Sequence, residues 1–239
     1  MDFTNSPNNK FPMKRTLLCT LMLLAMCLSL PLAAQNIFLK VGGGLATHYG
    51  HARAVGAYKI GVGYEYEFNQ KLTFAPSLVF YGKGWKDPNS HVFIYDDNGQ
   101  QRFDEETGQP LTGIMSRSTS AGYFELPLVF NYYFRTGEGK YIVAGLGPYL
   151  ACGVAGKQKT KGDGTQQGGS KLYYDRNTFS APGARRFDAG IQALAGYQFP
   201  NGITLGVEAD FGLVPFTSGG GRNLSGLVSV SYRFSRNED

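Results

Sequence analysis

The chain has 239 residues, of which 14% are aromatic and 17% charged, with a formal charge of +5. Beyond the N-terminal segment no apolar run reaches the ~18–20 residues of a spanning helix, and so mild a basic excess marks no nucleic-acid surface. Three cysteines, two of them close to the start, exclude a disulfide-built scaffold.

Residues 1–12 are polar and stand outside the fold, with Met13 read as the true start. Met13–Ala34 reads as a secretory signal peptide: Lys14-Arg15 form the positive start, Thr16–Leu30 the apolar stretch, and Leu32-Ala33-Ala34 the cleavage site before Gln35. Its removal takes Cys19 and Cys27, leaves Cys152 without an internal partner, and lowers the charge to +3. The remainder, 35–239, is predicted to form one domain.

Eight strands are expected, over about 36–48, 54–68, 71–85, 121–135, 141–154, 186–199, 203–214 and 223–234. The second sets Tyr58, Ile60, Val62, Tyr64, Tyr66 and Phe68 against Lys59, Glu65 and Glu67. The fourth carries the sharpest alternation, with Phe124, Leu126, Leu128, Phe130, Tyr132 and Phe134 on one face and Glu125, Asn131 and Arg135 on the other. Period two means a strand with two unlike faces. The sixth opposes Phe187, Ile191, Tyr197 and Phe199 to Asp188 and Gln192, and the seventh opposes Ile203, Leu205, Val207 and Phe211 to Glu208 and Asp210. The eighth opposes Leu224, Val228, Val230, Tyr232 and Phe234 to Ser225, Ser229, Ser231 and Arg233. Strands one and five are rich in glycine and give no clear phase. Pro76, Pro127 and Pro148 fall inside predicted strands, where a missing N–H breaks a ladder bond, and β-bulges or local bends are expected there.

These strands are longer than the ~5–6 residues of ordinary globular strands, and tilted by ~45° they cross a bilayer's hydrocarbon layer. Tight connections at Asn69-Gln70, Thr136–Lys140 and Pro200-Asn201-Gly202 alternate with longer links at 49–53, 86–120, 155–185 and 215–222. Short periplasmic turns, longer outer loops and an even strand number are the pattern of outer-membrane barrels. Aromatic residues gather beside the short turns, as an interfacial girdle does. A soluble lipocalin-like barrel would leave wide apolar faces in water, beyond what soluble monomers tolerate. The fold class expected is therefore all-β: an eight-stranded antiparallel up-and-down transmembrane β-barrel with long outer loops, in the outer membrane.

Tyr123-Phe124-Glu125-Leu126-Pro127-Leu128 resembles the Glu-hydrophobic-Pro signature of the PorT-like outer-membrane β-barrel family of Bacteroidetes-type bacteria. Gly145-Leu146-Gly147-Pro148-Tyr149, Phe187-Asp188-Ala189-Gly190 and the closing Tyr232-Arg233-Phe234 fit that family in the same order, although five residues follow Phe234. The resemblance implies an eight-stranded barrel, insertion by the barrel-insertion machinery, and for some members a tie to protein secretion. It implies little about activity.

With the apolar faces toward lipid, an ionic network of Lys40, Lys59, Glu65, Glu125, Asp188, Glu208 and Asp210 is expected in the lumen. An eight-stranded barrel is just wide enough for side chains to fill, and unpaired charges there would cost several kcal/mol each, so they should pair and plug it. Glu125 and Asp188 are expected to pair with Lys59, Lys40 or Lys83. Glu67, Lys83, Arg135 and Arg233 are the inward charges expected nearest the watery rims. The expected role is non-enzymatic, structural or interaction-based. The alternatives are a narrow channel for small solutes and a lipid-modifying enzyme using His48, His51 or His91, the last beside Ser90. Gly169-Ser170-Lys171 reverses the order that a phosphate-binding loop needs, and Asp96, Asn98, Gly99 and Glu105 miss the first ligand of an EF-hand, so no cofactor or metal is expected. Asp96-Asp97-Asn98-Gly99 reads instead as the turn of an outer hairpin. The partners expected are outer-membrane lipids, the insertion machinery, and secretion or surface proteins.

Overall fold

The computed structural model describes residues 36–50, 52–96, 98–162, 166–167, 170–171 and 175–234; residues 1–12, the signal Met13–Ala34, His51 and Asp97 lie outside them. Eight strands form the ring: β1 Ile37–His48, β2 Val55–Tyr64 continued by Tyr66–Glu67, β3 Leu72–Lys86, β4 Thr112–Gly137, β5 Lys140–Ala155, β6 Phe187–Gln198, β7 Ile203–Pro215 and β8 Arg222–Arg233. Each pairs antiparallel with the next, and β8 returns to β1 from Phe38↔Arg233 to His48↔Asn223, which leaves the ring no free edge. Among the described residues no helix is long and apolar enough to cross a membrane.

The alternation read in the sequence decides what each face meets. Leu39, Val41, Ile60, Val62, Leu78, Phe124, Phe130, Leu146, Val207 and Val228 stand exposed around the outside, while Lys59, Lys83, Glu125, Asp188, Gln192, Glu208 and Asp210 are buried within. This is an apolar belt around a polar interior, the inverse of a soluble protein and the arrangement a bilayer requires. Each even-numbered strand ends at the short-turn side with an outward aromatic pair: Tyr66/Phe68, Tyr132/Phe134, Tyr197/Phe199 and Tyr232/Phe234, with ring centroids 4.7–5.1 Å apart. These pairs form the girdle at that interface.

The short turns are locally encoded. The Asn69 carboxamide accepts from Lys71 N and Leu72 N, both at 2.9 Å. Gly139 and Gly202 take φ of 62° and 80°, a left-handed conformation that glycine adopts without steric cost. On the other side β4 begins at Thr112 rather than at 121. Its extension pairs with Ser90–Phe93 and with Lys157–Gly162, and that last segment pairs in turn with Asp175–Asn177, which raises a small sheet above the ring. Turn chemistry also sets the hairpin beside it, where Asp96 Oδ1 accepts from Asn98 N and Gln100 N at 2.9 and 2.7 Å.

The three prolines do not create bulges. At each, the register holds on both sides of a two-residue interruption: Tyr64–Glu65 faces Ala75–Pro76, Ser77–Leu78 faces Leu126–Pro127, and Leu128–Val129 faces Gly147–Pro148 without ladder pairs. A missing N–H removes a bond on one side only, so each proline opens one seam and leaves its other neighbour strand paired. Register shifts occur elsewhere, between Gly122 and Tyr123, between Arg135 and Gly137, and between Phe211 and Pro215.

Candidate functional site

The interior is built in three levels, set by register rather than by sequence order. At the middle level, Lys59 from β2 and Lys83 from β3 rise between carboxylates from β4, β6 and β7. Lys59 Nζ lies 3.1 Å from Asp210, 3.3 Å from Glu208 and 3.4 Å from Glu125. Lys83 Nζ lies 3.1 Å from Glu125 and 3.3 Å from Asp188. Lys40 from β1 reaches Glu208 at 2.8 Å. Glu125 therefore joins the two buried lysines, with one oxygen toward each.

Three lysines face four carboxylates here, and neutral donors serve the surplus acid. Gln192 Nε2 donates to Asp210 at 2.8 Å and to Glu208 at 3.1 Å. Asn223 Nδ2 donates to Asp188 at 2.8 Å, with the Tyr149 hydroxyl at 3.3 Å. Aromatic faces complete the shell of the cations: the Tyr81 ring lies 4.5 Å from Lys59 Nζ and 4.7 Å from Lys83 Nζ, and Lys83 also meets Tyr123 and Tyr149 at 4.9 and 5.0 Å. Desolvated lysines gain from such ring faces, by ~2 kcal/mol in favourable cases.

Glu65, expected in the same network, belongs to a separate lower cluster near the short turns. Its carboxylate accepts from Thr73 Oγ1 at 2.6 Å and from the Tyr133 hydroxyl, and it lies 3.2 Å from Arg233 Nη1. Arg233 also reaches Glu67 at 3.4 Å, and Glu67 stays half exposed. Lys83, expected near a watery rim, is only 2% exposed at the middle of the barrel. Its place follows from the β3–β4 register, which sets it level with Ala121, just above Glu125. Arg135 does stay at the rim, donating to Gly137 O at 3.3 Å. A small cavity of about 50 Å³ lies between the lower and middle levels, and a wider vestibule of about 410 Å³ opens at the short-turn mouth.

The upper level is aromatic. Trp85 stacks on His48 with centroids 3.5 Å apart, Phe216 packs edge-on against Trp85 at 4.9 Å, and Phe179 meets Tyr123 at 5.6 Å. Phe179 and Phe216 come from the two loops that follow β5 and β7, and they fold over the outer mouth. Arg186 lies over the Phe179 ring at 5.1 Å and donates to Gly153 O at 2.9 Å, pinning that loop to β5. Sequence reasoning missed this lid, because the loop aromatics sit outside any period-two pattern. It also missed Gln192, Asn223, Tyr81 and Tyr149 as partners. Gln192 and Asn223 share the parity of Asp188 and Ser225 on their strands, and that parity was the available signal.

Of the histidines flagged for chemistry, His48 is buried against Trp85 with its Nε2 3.2 Å from Asn223 Oδ1, and His91 stands exposed on the Ser90–Phe93 strand. Among the described residues no cluster of His, Cys, Asp and Glu could hold a metal ion.

The chain matches the family model described as "Outer membrane protein beta-barrel domain" over residues 34–218. No curated protein is matched by the sequence. Among solved structures it is similar to Ail, the attachment invasion locus protein of Yersinia pestis, at 14% identity, over 83% of this chain and 97% of that one, with a TM-score of 0.37. Neisserial surface protein A is similar at 13% identity over 84% and 96% of the two chains, with a TM-score of 0.36. The N-terminal β-barrel domain of Pseudomonas aeruginosa OprF is similar at 14% identity over 84% and 98%, with a TM-score of 0.31.

Proposed function

The chain belongs to the outer membrane protein beta-barrel domain family, and we propose that it serves the outer membrane as a plugged, non-enzymatic barrel that acts through its outer loops and its periplasmic mouth. The observation that carries this reading is the pair of buried lysines, Lys59 and Lys83, each held between carboxylates across the full width of the lumen. A permeating solute would have to part these groups, and breaking a buried pair costs ~3–5 kcal/mol. The aromatic lid of Trp85, Phe179 and Phe216 adds a second barrier above them.

The non-enzymatic reading rests on the histidines. His48 spends its ring on Trp85 and Asn223, and Ser90 and His91 are adjacent on a strand, so they point to opposite faces. Placement among the PorT-like barrels rests on Phe124-Glu125-Leu126-Pro127, Gly145–Tyr149 and Phe187–Gly190, and carries with it the proposal of a link to protein secretion. On this reading the insertion machinery recognises Tyr232-Arg233-Phe234, and surface or secretion partners meet the outer sheet or the short turns.

Proteoliposome swelling tests the plug. Vesicles holding the mature protein should swell in small sugars and amino acids no faster than protein-free vesicles. Swelling at porin-like rates overturns the reading in favour of a narrow solute channel.

A further inference from the structure

The register shift on β5 turns a run of lysines outward. Tyr123 pairs with Gly153 but Gly122 pairs with Ala155, so Val154 is an extra residue and the parity of the chain beyond it reverses. Gln158 and Thr160 then point inward and are buried, while Lys157, Lys159 and Lys161 point outward and are exposed. Without that extra residue the three lysines would crowd into the outer mouth. Alternate strand residues lie ~7 Å apart, so the three amines form a ladder up the outside of the barrel.

The outward neighbours of this ladder are hydroxyls. Ser118 pairs with Lys159 and Ser116 with Lys161, and Ser120 Oγ bonds the Lys157 backbone at 3.1 and 3.2 Å. Lys86 on β3 faces Ser118 from the other side, and among the described residues Asp175 is the one acid set directly opposite the ladder, at Lys159. Among the described residues none of these four lysines forms an ion pair, unlike the lysines inside.

Height places the ladder at the headgroups. On β4 the outward apolar belt runs from Phe134 to Phe124, ~24 Å at ~2.4 Å of rise per tilted residue, which matches the ~25 Å belt of such barrels. The outward face then changes to Gly122, Ser120, Ser118 and Ser116. At the foot of the ladder, beside Lys157, a groove of about 190 Å³ opens across β2, β3 and β4, lined by Tyr58, Phe80, Gly82, Ser120, Gly122 and Gly156. A Cβ at Gly82 would stand 2.4 Å from the Tyr58 ring, so the glycine is what keeps that wall thin. A largely apolar slot at the upper edge of the belt therefore leads to hydroxyls and amines at its rim.

We propose that this surface holds one amphiphile of the outer leaflet, a phosphate-bearing glycolipid, with an acyl chain in the groove, sugar hydroxyls on the serine row and phosphate on Lys157, Lys159 and Lys161. The pairing of hydroxyls with amines fits a phosphorylated sugar better than a plain phosphodiester. The inference rests on the barrel's place in the outer membrane and is independent of the plugged lumen.

Native mass spectrometry of the mature barrel in detergent tests it, with bisphosphorylated lipid A, dephosphorylated lipid A and phosphatidylglycerol offered in turn. Each lysine near an anionic headgroup is worth roughly fivefold in binding, so K157S/K159S/K161S should retain bisphosphorylated lipid A about a hundredfold more weakly. The triple arginine variant should keep it, and Lys159→Glu alone should weaken it. Circular dichroism of each variant checks the fold. Equal retention by the triple serine variant overturns the proposal. So does equal retention of the dephosphorylated lipid, or of phosphatidylglycerol.

Discussion

Removing the Lys83 amine should damage the barrel more than removing the Glu125 charge, although the two groups touch at 3.1 Å. Lys83→Met leaves two lysines against four carboxylates at the middle level. Glu125 then keeps only Lys59, at 3.4 Å, and Asp188 keeps only the neutral donors Asn223 and Tyr149. The Tyr123 and Tyr149 rings also lose their cation, while Tyr81 keeps Lys59. Breaking a buried pair from one side costs ~3–5 kcal/mol. Glu125→Gln instead balances three lysines against three carboxylates, keeps the side-chain volume, and leaves an amide oxygen toward a lysine, for a loss of about 1–2 kcal/mol. The difference of ~2 kcal/mol is roughly thirtyfold in the folding constant, well within what equilibrium unfolding resolves. The assay is denaturant unfolding in micelles, followed by the fluorescence of Trp85, the single tryptophan of the chain. Glu125→Gln proving as costly as Lys83→Met would refute the charge reasoning. So would a Lys83→Met variant within ~1 kcal/mol of the parent.

Gly147 lies opposite Val129 in the seam opened by Pro148, where an added Cβ would stand 2.0 Å from the Leu128 carbonyl oxygen. Gly147→Ala should cost about 1–3 kcal/mol in the same unfolding assay, while Gly43→Ala, with nothing within 4 Å, should stay within ~0.5 kcal/mol of the parent. In the outer hairpin, Asp104 accepts from Glu106 N, Thr107 N and Thr107 Oγ1. Bonds from Thr107 hold its carboxyl below the ordinary value of 3.8. A depressed acid contributes order above its unfolded value and loses it as pH falls through the folded one, so carboxyl NMR should show Asp104 titrating below 3.8 and its turn loosening only there; titration at or above 3.8 would contradict this.

How far the sequence could be read follows from what period two encodes. It reports which face a residue takes, so Lys59, Glu125, Asp188, Glu208 and Asp210 were legible as inward, and the ring with its short and long connections followed. It does not report height. Glu65 and Lys83 share the inward parity, but register puts one beside Arg233 near the short turns and the other level with Ala121 at the centre. Nor does it report a change of phase. The extra residue at Val154 lies in a glycine-rich stretch where neither face has a clear signature, so the outward turn of Lys157–Lys161 appears only once strands are paired. The prolines were legible as ladder breakers, yet the seams they open keep register because each strand still has an intact partner on its other side. Phe179 and Phe216 reach the mouth from loops, where long-range packing decides position.

The plugged lumen is tested most directly by current. Purified mature protein in planar bilayers should give no stepwise conductance at moderate voltage, while a larger porin reconstituted in parallel gives steady steps. Steady ohmic steps from the unaltered barrel, with Lys59, Lys83 and Glu125 in place, would contradict the account.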